Sequence, residues 1–143
     1  MENFYATILV PAHGILALML LLAMLTAVIL AIPQWKKSES SMVSLKFYKW
    51  TFILSHVQLL IGLTSYFLSP KVNYSEGFMK NEVLRLYAVE HPFVMILSIV
   101  LVSIAYFKLR SSNYPNRKIF WFYISAFILI ASRLPYGYFT FMH

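Results

Sequence analysis

The chain has 143 residues, of which 60% are hydrophobic and only 12% charged. A soluble domain of this length carries about 25% charged residues, so the composition points to a membrane protein and excludes a water-soluble globular enzyme. There is no cysteine, which excludes disulfides, thiolate catalysis, iron–sulfur clusters and covalent c-type haem attachment. There is no aspartate either. The five acids are Glu2, Glu39, Glu76, Glu82 and Glu90, all outside the apolar cores of the spans. Carboxylate-pair catalysis and carboxylate-rich metal cages are therefore not expected. The net charge of +7 sits between apolar segments, which suits loops facing anionic lipid rather than a nucleic-acid surface.

About 20 apolar residues cross a hydrocarbon core of about 30 Å. The first run that qualifies spans 4–32 and ends at Pro33 and the interfacial Trp35. Met1-Glu2-Asn3 lacks the positive start of a signal peptide and the run is too long for its apolar region, so a retained first span is expected. The second span is predicted over 47–68, opened by Tyr48 and Trp50. Residues 71–87 come next, with Phe78, Val83, Leu84 and Tyr87 among charges, a pattern that predicts a short amphipathic helix on the membrane surface. The third span is predicted over 88–107 and the fourth over 119–138, the latter flanked by Trp121, Tyr123, Tyr136 and Tyr138 in the manner of an aromatic belt. Pro11 and Pro92 read as helix starts. The expected fold class is all-α: a single transmembrane domain over 1–143, forming an up-down four-helix bundle.

Basic residues set the expected orientation. The first loop holds Lys36, Lys37, Lys46 and Lys49, and the third Lys108, Arg110, Arg117 and Lys118. The second holds Lys71, Lys80 and Arg85, with the three glutamates Glu76, Glu82 and Glu90 in it or just beyond it. Loops one and three are expected to be cytoplasmic, with both termini on the outer face.

Four ionisable residues lie in or at the mouth of the spans: His13, His56, His91 and Arg133. Such groups cost at least about 2.5–3.5 kcal/mol in lipid and persist mainly where they face a bundle interior, a cavity or a cofactor. At 1.5 Å rise per residue, counted from the loop-one and loop-three boundary, His13 lies roughly 33 Å up, His91 roughly 25 Å, Arg133 roughly 22 Å and His56 roughly 10 Å. His13, His91 and Arg133 thus group in the outer half. His13 and His91 are on diagonal helices, where two imidazoles are able to hold one haem iron from opposite sides. His13 stacks over Ala17, Leu20 and Met24 with Gly14 beside it, and His91 over Met95, Ser98 and Val102, leaving room for a flat macrocycle. Arg133 is placed for a propionate. A His56–His91 pair is the alternative ligand set. Otherwise His56 is a contact within the bundle or part of a proton or quinone path. The bland reading of each histidine is an interhelical hydrogen bond, and of Arg133 a side chain reaching a lipid phosphate. A zinc or copper site lacks a completing ligand, and His143 is expected to be free.

The blocks Ser55-His56-Val57-Gln58-Leu59-Leu60-Ile61-Gly62, Arg85-Leu86-Tyr87-Ala88-Val89-Glu90-His91-Pro92 and Ser132-Arg133-Leu134-Pro135-Tyr136, with His13-Gly14, resemble a family of small four-helix bacterial membrane proteins often labelled cytochrome b-like. The resemblance covers nearly the whole chain apart from loops one and three. It implies a multi-pass protein of the bacterial inner membrane whose functional set is His13, His56, His91 and Arg133.

The expected function is electron carriage by one non-covalent haem b, with a quinone and other membrane subunits of a respiratory or redox assembly as partners. The alternative is a structural subunit without cofactor. An enzyme would need a cavity and a proton relay through Glu90 or His56. Because the chain is free of cysteine, single-cysteine labelling tests the orientation directly. Ser75→Cys should react with a membrane-impermeant maleimide in right-side-out membranes, and Ser40→Cys should react only after permeabilisation.

Overall fold

The computed structural model describes residues 4–36, 41–110 and 116–135. These form four long helices: α1 (Tyr5–Gln34), α2 (Met42–Leu68), α3 (Glu82–Leu109) and α4 (Asn116–Ser132). No strand occurs among the described residues. By length and composition α1, α2 and α3 are able to cross a membrane. The fourth, at 17 residues, extends about 26 Å at the helical rise.

Helix α1 packs most closely on α2, and α3 on α4, with α2–α3 and α1–α4 closing the ring. Helices α1 and α3 are therefore diagonal, as are α2 and α4. The outer surface is apolar: Leu22, Leu60, Phe67 and Phe93 are all well exposed. A soluble protein does not expose so much contiguous apolar area, whereas a bundle facing acyl chains does.

The end that carries the connections between α1 and α2 and between α3 and α4, here the basic end, is densely packed. Met24, Ala27, Ala31, Val102, Ala105, Ile119, Tyr123 and Ala126 are fully buried there. Small residues let these helices approach closely. Tyr123 of α4 reaches across the diagonal to α2. Its hydroxyl bonds Thr51 Oγ1 at 3.0 Å and the Tyr48 carbonyl at 3.2 Å, while its ring packs on Tyr48 at 4.9 Å. Gln34 is buried, accepts from the Ser41 amide at 2.6 Å and donates to Ser44 Oγ. Ser41 Oγ in turn caps the Ser44 amide at 3.2 Å. This polar seam starts α2 at Met42 rather than at residue 47, because the cap satisfies backbone donors that the apolar pattern alone leaves unaccounted for.

The opposite end carries the 69–81 connection. Here α3 begins at Glu82, not near residue 88, and the predicted separate surface helix is corrected accordingly. Asn81 Oδ1 accepts from the Val83 and Leu84 amides at 3.0 and 3.1 Å, an N-cap from which the helix runs unbroken into the span. Only a short turn at Phe78–Lys80 precedes it. At the other terminus α4 stops at Ser132, short of the expected residue 138. Pro135 has no amide donor and disfavours helical backbone at Leu134. Tyr136, Tyr138 and His143 lie outside the described residues.

Pro11 and Pro92 are not helix starts. Both lie inside continuous helices, each just after a widened π turn, Tyr5–Leu9 and Leu86–Glu90. In α3 the His91 amide bonds the Leu86 carbonyl five residues back, the arrangement that makes room for the Pro92 ring. Pro92 has no N–H to give the Ala88 carbonyl. That carbonyl instead accepts the Tyr66 hydroxyl of α2 at 2.9 Å. Tyr66→Phe should therefore lower unfolding stability by about 1 kcal/mol or more, the cost of an unmet acceptor, read as a lower midpoint in detergent denaturation.

Candidate functional site

A cavity of about 480 Å³ opens inside the bundle at the end away from the basic connections. His13, Gly14 and Ala17 of α1, Gln58, Gly62 and Tyr66 of α2, and His91, Met95 and Ile99 of α3 contribute to its lining. Leu20 and Ile130 also line it, where it meets the packed core. The volume falls within the range of about 300–1,000 Å³ usual for small-molecule and cofactor sites.

His13 and His91 face each other across the diagonal. Their ring centres are 6.2 Å apart and their planes meet at 76°. Each ring is held by a neighbouring helix. The His91 Nδ1–H donates to the Arg133 carbonyl at 2.9 Å. A carbonyl only accepts, so the proton sits on Nδ1 and Nε2 keeps its lone pair. The His13 ring rests on Gly62. A Cβ at position 62 would lie 3.0 Å from His13 Cε1, so any larger residue there would press on the ring and require it to shift. At Gly14, by contrast, a Cβ would meet nothing within 4 Å, which marks open space on the cavity side of α1.

Gln58 locks α2 to α1 by donating from Nε2 to the His13 carbonyl at 2.8 Å, and the same nitrogen is 3.5 Å from His13 Nε2. Among the described residues three buried polar atoms have no partner: His13 Nδ1, Gln58 Oε1 and Ser65 Oγ. All three residues line this cavity. Unmet polar groups in an apolar interior cost about 1–3 kcal/mol each, and their concentration in one cavity makes it the candidate site.

The spacing of the two rings matches what a shared metal requires. Two imidazoles on opposite sides of one metal would set their ring centres about 6 Å apart, with about 2 Å from metal to nitrogen and about 1 Å from nitrogen to ring centre on each side. The observed separation agrees. Nδ1–H donation to a backbone carbonyl, as at His91, is also the usual outer-shell support of a ligating imidazole. Among the described residues there is no cluster of three or more His, Cys, Asp or Glu able to hold a bare metal ion. A pair of imidazoles suits an iron already held by a macrocycle.

Arg133 and His56 are placed differently. The Arg133 guanidinium pairs with Glu90, Nε to Oε2 at 3.4 Å, while Arg85 holds the other carboxylate oxygen at 2.6 Å. It does not line the cavity. The part of Arg133 that reaches the site is its carbonyl. His56 does not line the cavity either. Its Nδ1–H donates to the Phe52 carbonyl at 2.8 Å and the ring faces a separate groove between α2 and α3. Gln58, Gly62 and Ser65 form the α2 wall, and their i, i+4, i+7 spacing is the sequence signal that marks one small, polar face.

No family model, curated protein or solved structure matches this chain.

Glu90 ties α3 to the end of α4, where the Arg133 amide closes the last turn on the Ile130 carbonyl at 3.3 Å. Glu90→Gln should speed hydrogen exchange at the Arg133 amide while leaving Tyr123 and its neighbours in α4 unchanged. Equal exchange in both forms would show that the ion pairs do not hold this turn.

Proposed function

We propose that the chain is a small, multi-pass membrane protein that binds one haem b non-covalently between His13 and His91 and carries electrons, as a subunit of a respiratory or redox assembly in a bacterial inner membrane. The observation that carries this reading is the His13–His91 pair on diagonal helices, 6.2 Å apart at one cavity. The orphaned polar atoms of that cavity and the resemblance to cytochrome b-like proteins add support.

Bound haem iron supplies a one-electron couple whose potential depends on its axial ligands, hydrogen bonding and burial. The residues of this chain provide the surroundings. The Arg133 carbonyl fixes the His91 tautomer so that Nε2 is the free donor atom. Gly62 and Gln58 hold His13 from the α2 side. Apolar Leu20, Met95, Ile99 and Ile130 keep water from the inner part of the cavity, which lowers the local dielectric. Arg85 and Arg133 share one carboxylate near the site and leave net positive charge there, which suits an anionic group at the cavity mouth.

The test is a reduced-minus-oxidised visible spectrum of the purified protein with haem stoichiometry. The wild type should give a sharp low-spin α band at about one haem per chain. His13→Ala and His91→Ala should each abolish that band, Gly62→Val should weaken it by displacing the His13 ring, and His56→Ala should retain it. A folded wild-type protein without haem would overturn the proposal and leave the structural-subunit reading.

A further inference from the structure

A second hollow, of about 720 Å³, lies between α2 and α3. Its α3 wall is Ile96, Val100, Ser103, Ile104 and Phe107, a spacing that puts them on one helix face. His56 and Leu59 form the α2 wall. The two polar side chains of these walls donate within their own helices, His56 Nδ1 to the Phe52 carbonyl and Ser103 Oγ to the Ile99 carbonyl, each at 2.8 Å. The other wall residues are apolar, and the single charged lining residue is Lys108, at one end. From Ile96 to Lys108 the helix rises about 18 Å, close to the roughly 15 Å of half a hydrocarbon core. The hollow thus runs from the basic surface to about mid-membrane. Lys49 lies two turns from His56 on the same face of α2. Between them stands Phe52, whose ring stacks on Tyr106 at 4.5 Å and meets Phe107 edge-on at 5.6 Å. Lys49 and Lys108 therefore flank the basic-end mouth, and both are exposed. Among the described residues the acids are Glu76, Glu82 and Glu90, all toward the opposite end.

We propose that this groove holds an anionic phospholipid of the leaflet at the basic end, one acyl chain lying between α2 and α3 and the phosphate between Lys49 and Lys108. Charge and length together make the choice. An ammonium carries three N–H donors and binds phosphate as a point charge, and basic pockets at the ends of transmembrane helices suit anionic head groups. A zwitterionic lipid brings the same chains, but its own cation opposes the two lysines. A second copy of the chain docked symmetrically through this face would set lysine against lysine at one depth. The proposal does not rest on the haem reading.

The probes are phosphatidylglycerol and phosphatidylcholine with identical acyl chains, titrated into delipidated full-length protein in a neutral detergent. Native mass spectrometry counts the adducts. The first phosphatidylglycerol should bind at least about fivefold tighter than phosphatidylcholine, the effect of a single lysine near a charged membrane surface. Lys49→Gln combined with Lys108→Gln should erase that preference while helical circular dichroism is kept. Arg117→Gln should retain it, since Arg117 is a charge of the same end that lies over the Trp35 ring instead. Val100→Trp, which fills the groove and leaves both lysines in place, should lose the tight adduct, and it decides the question if the double variant does not fold. Equal affinity for the two lipids, a preference that survives the double substitution, or a tight adduct retained in Val100→Trp would overturn the proposal. A dimer that Val100→Trp dissociates, in place of a lipid adduct, would assign the groove to a second copy and overturn it as well.

Discussion

Where water is absent, every backbone carbonyl needs a donor, and Pro92 takes one away from Ala88. The long-loop end of the bundle is organised around that deficit. The π turn at Leu86–Glu90 admits the proline ring, and Tyr66 of α2 supplies the missing donor, so α2 and α3 are joined at a fixed depth. The wide turn also offsets the helical register of the first turn of α3 from that of the span beyond His91. Glu90 is thereby available to both arginines, while His91, the next residue, faces the interior and reaches the Arg133 carbonyl. One imino acid thus couples three helices at the place where the candidate ligand stands.

The two ends of the bundle use their diagonals in opposite ways. At the basic end the α2–α4 diagonal is closed by Tyr123, Thr51 and Tyr48, whose polar atoms satisfy one another. Small residues fill the remaining space, and the result is a dense core. At the other end the α1–α3 diagonal is spanned by two imidazoles whose hydrogen-bonding capacity is only partly used. One short bundle thus has a closed end and an open end. Preorganisation of the open end comes from its neighbours: Gly62 from α2 and a carbonyl from the end of α4.

Much of the architecture is readable from residue type and spacing. The apolar runs mark four helices, and depth counting separates His56 from His13 and His91, as the two distinct hollows do. Helix limits are less legible, since Ser41 and Asn81 begin α2 and α3 through side-chain caps that a hydropathy pattern does not register. Arg133 draws notice in the sequence by its charge, yet its carbonyl is what touches His91, and backbone partners leave no mark on side-chain chemistry. Gln58 is uncharged and sits two residues from a more conspicuous histidine. Its role depends on the α1 backbone beside it, which spacing along α2 does not reveal.

The sequence by itself determined that the chain is helical and apolar outside, with its few ionisable groups at particular depths. Hydropathy and rise per residue are local properties, and they act along one helix at a time. Only the tertiary structure decided which imidazoles meet and which nitrogen of each is spoken for. Rotation of one helix against another is set by contacts between residues far apart in the chain, such as Tyr66 with Ala88 and His13 with Gly62. A shift of one residue in either contact would turn the same histidine toward lipid.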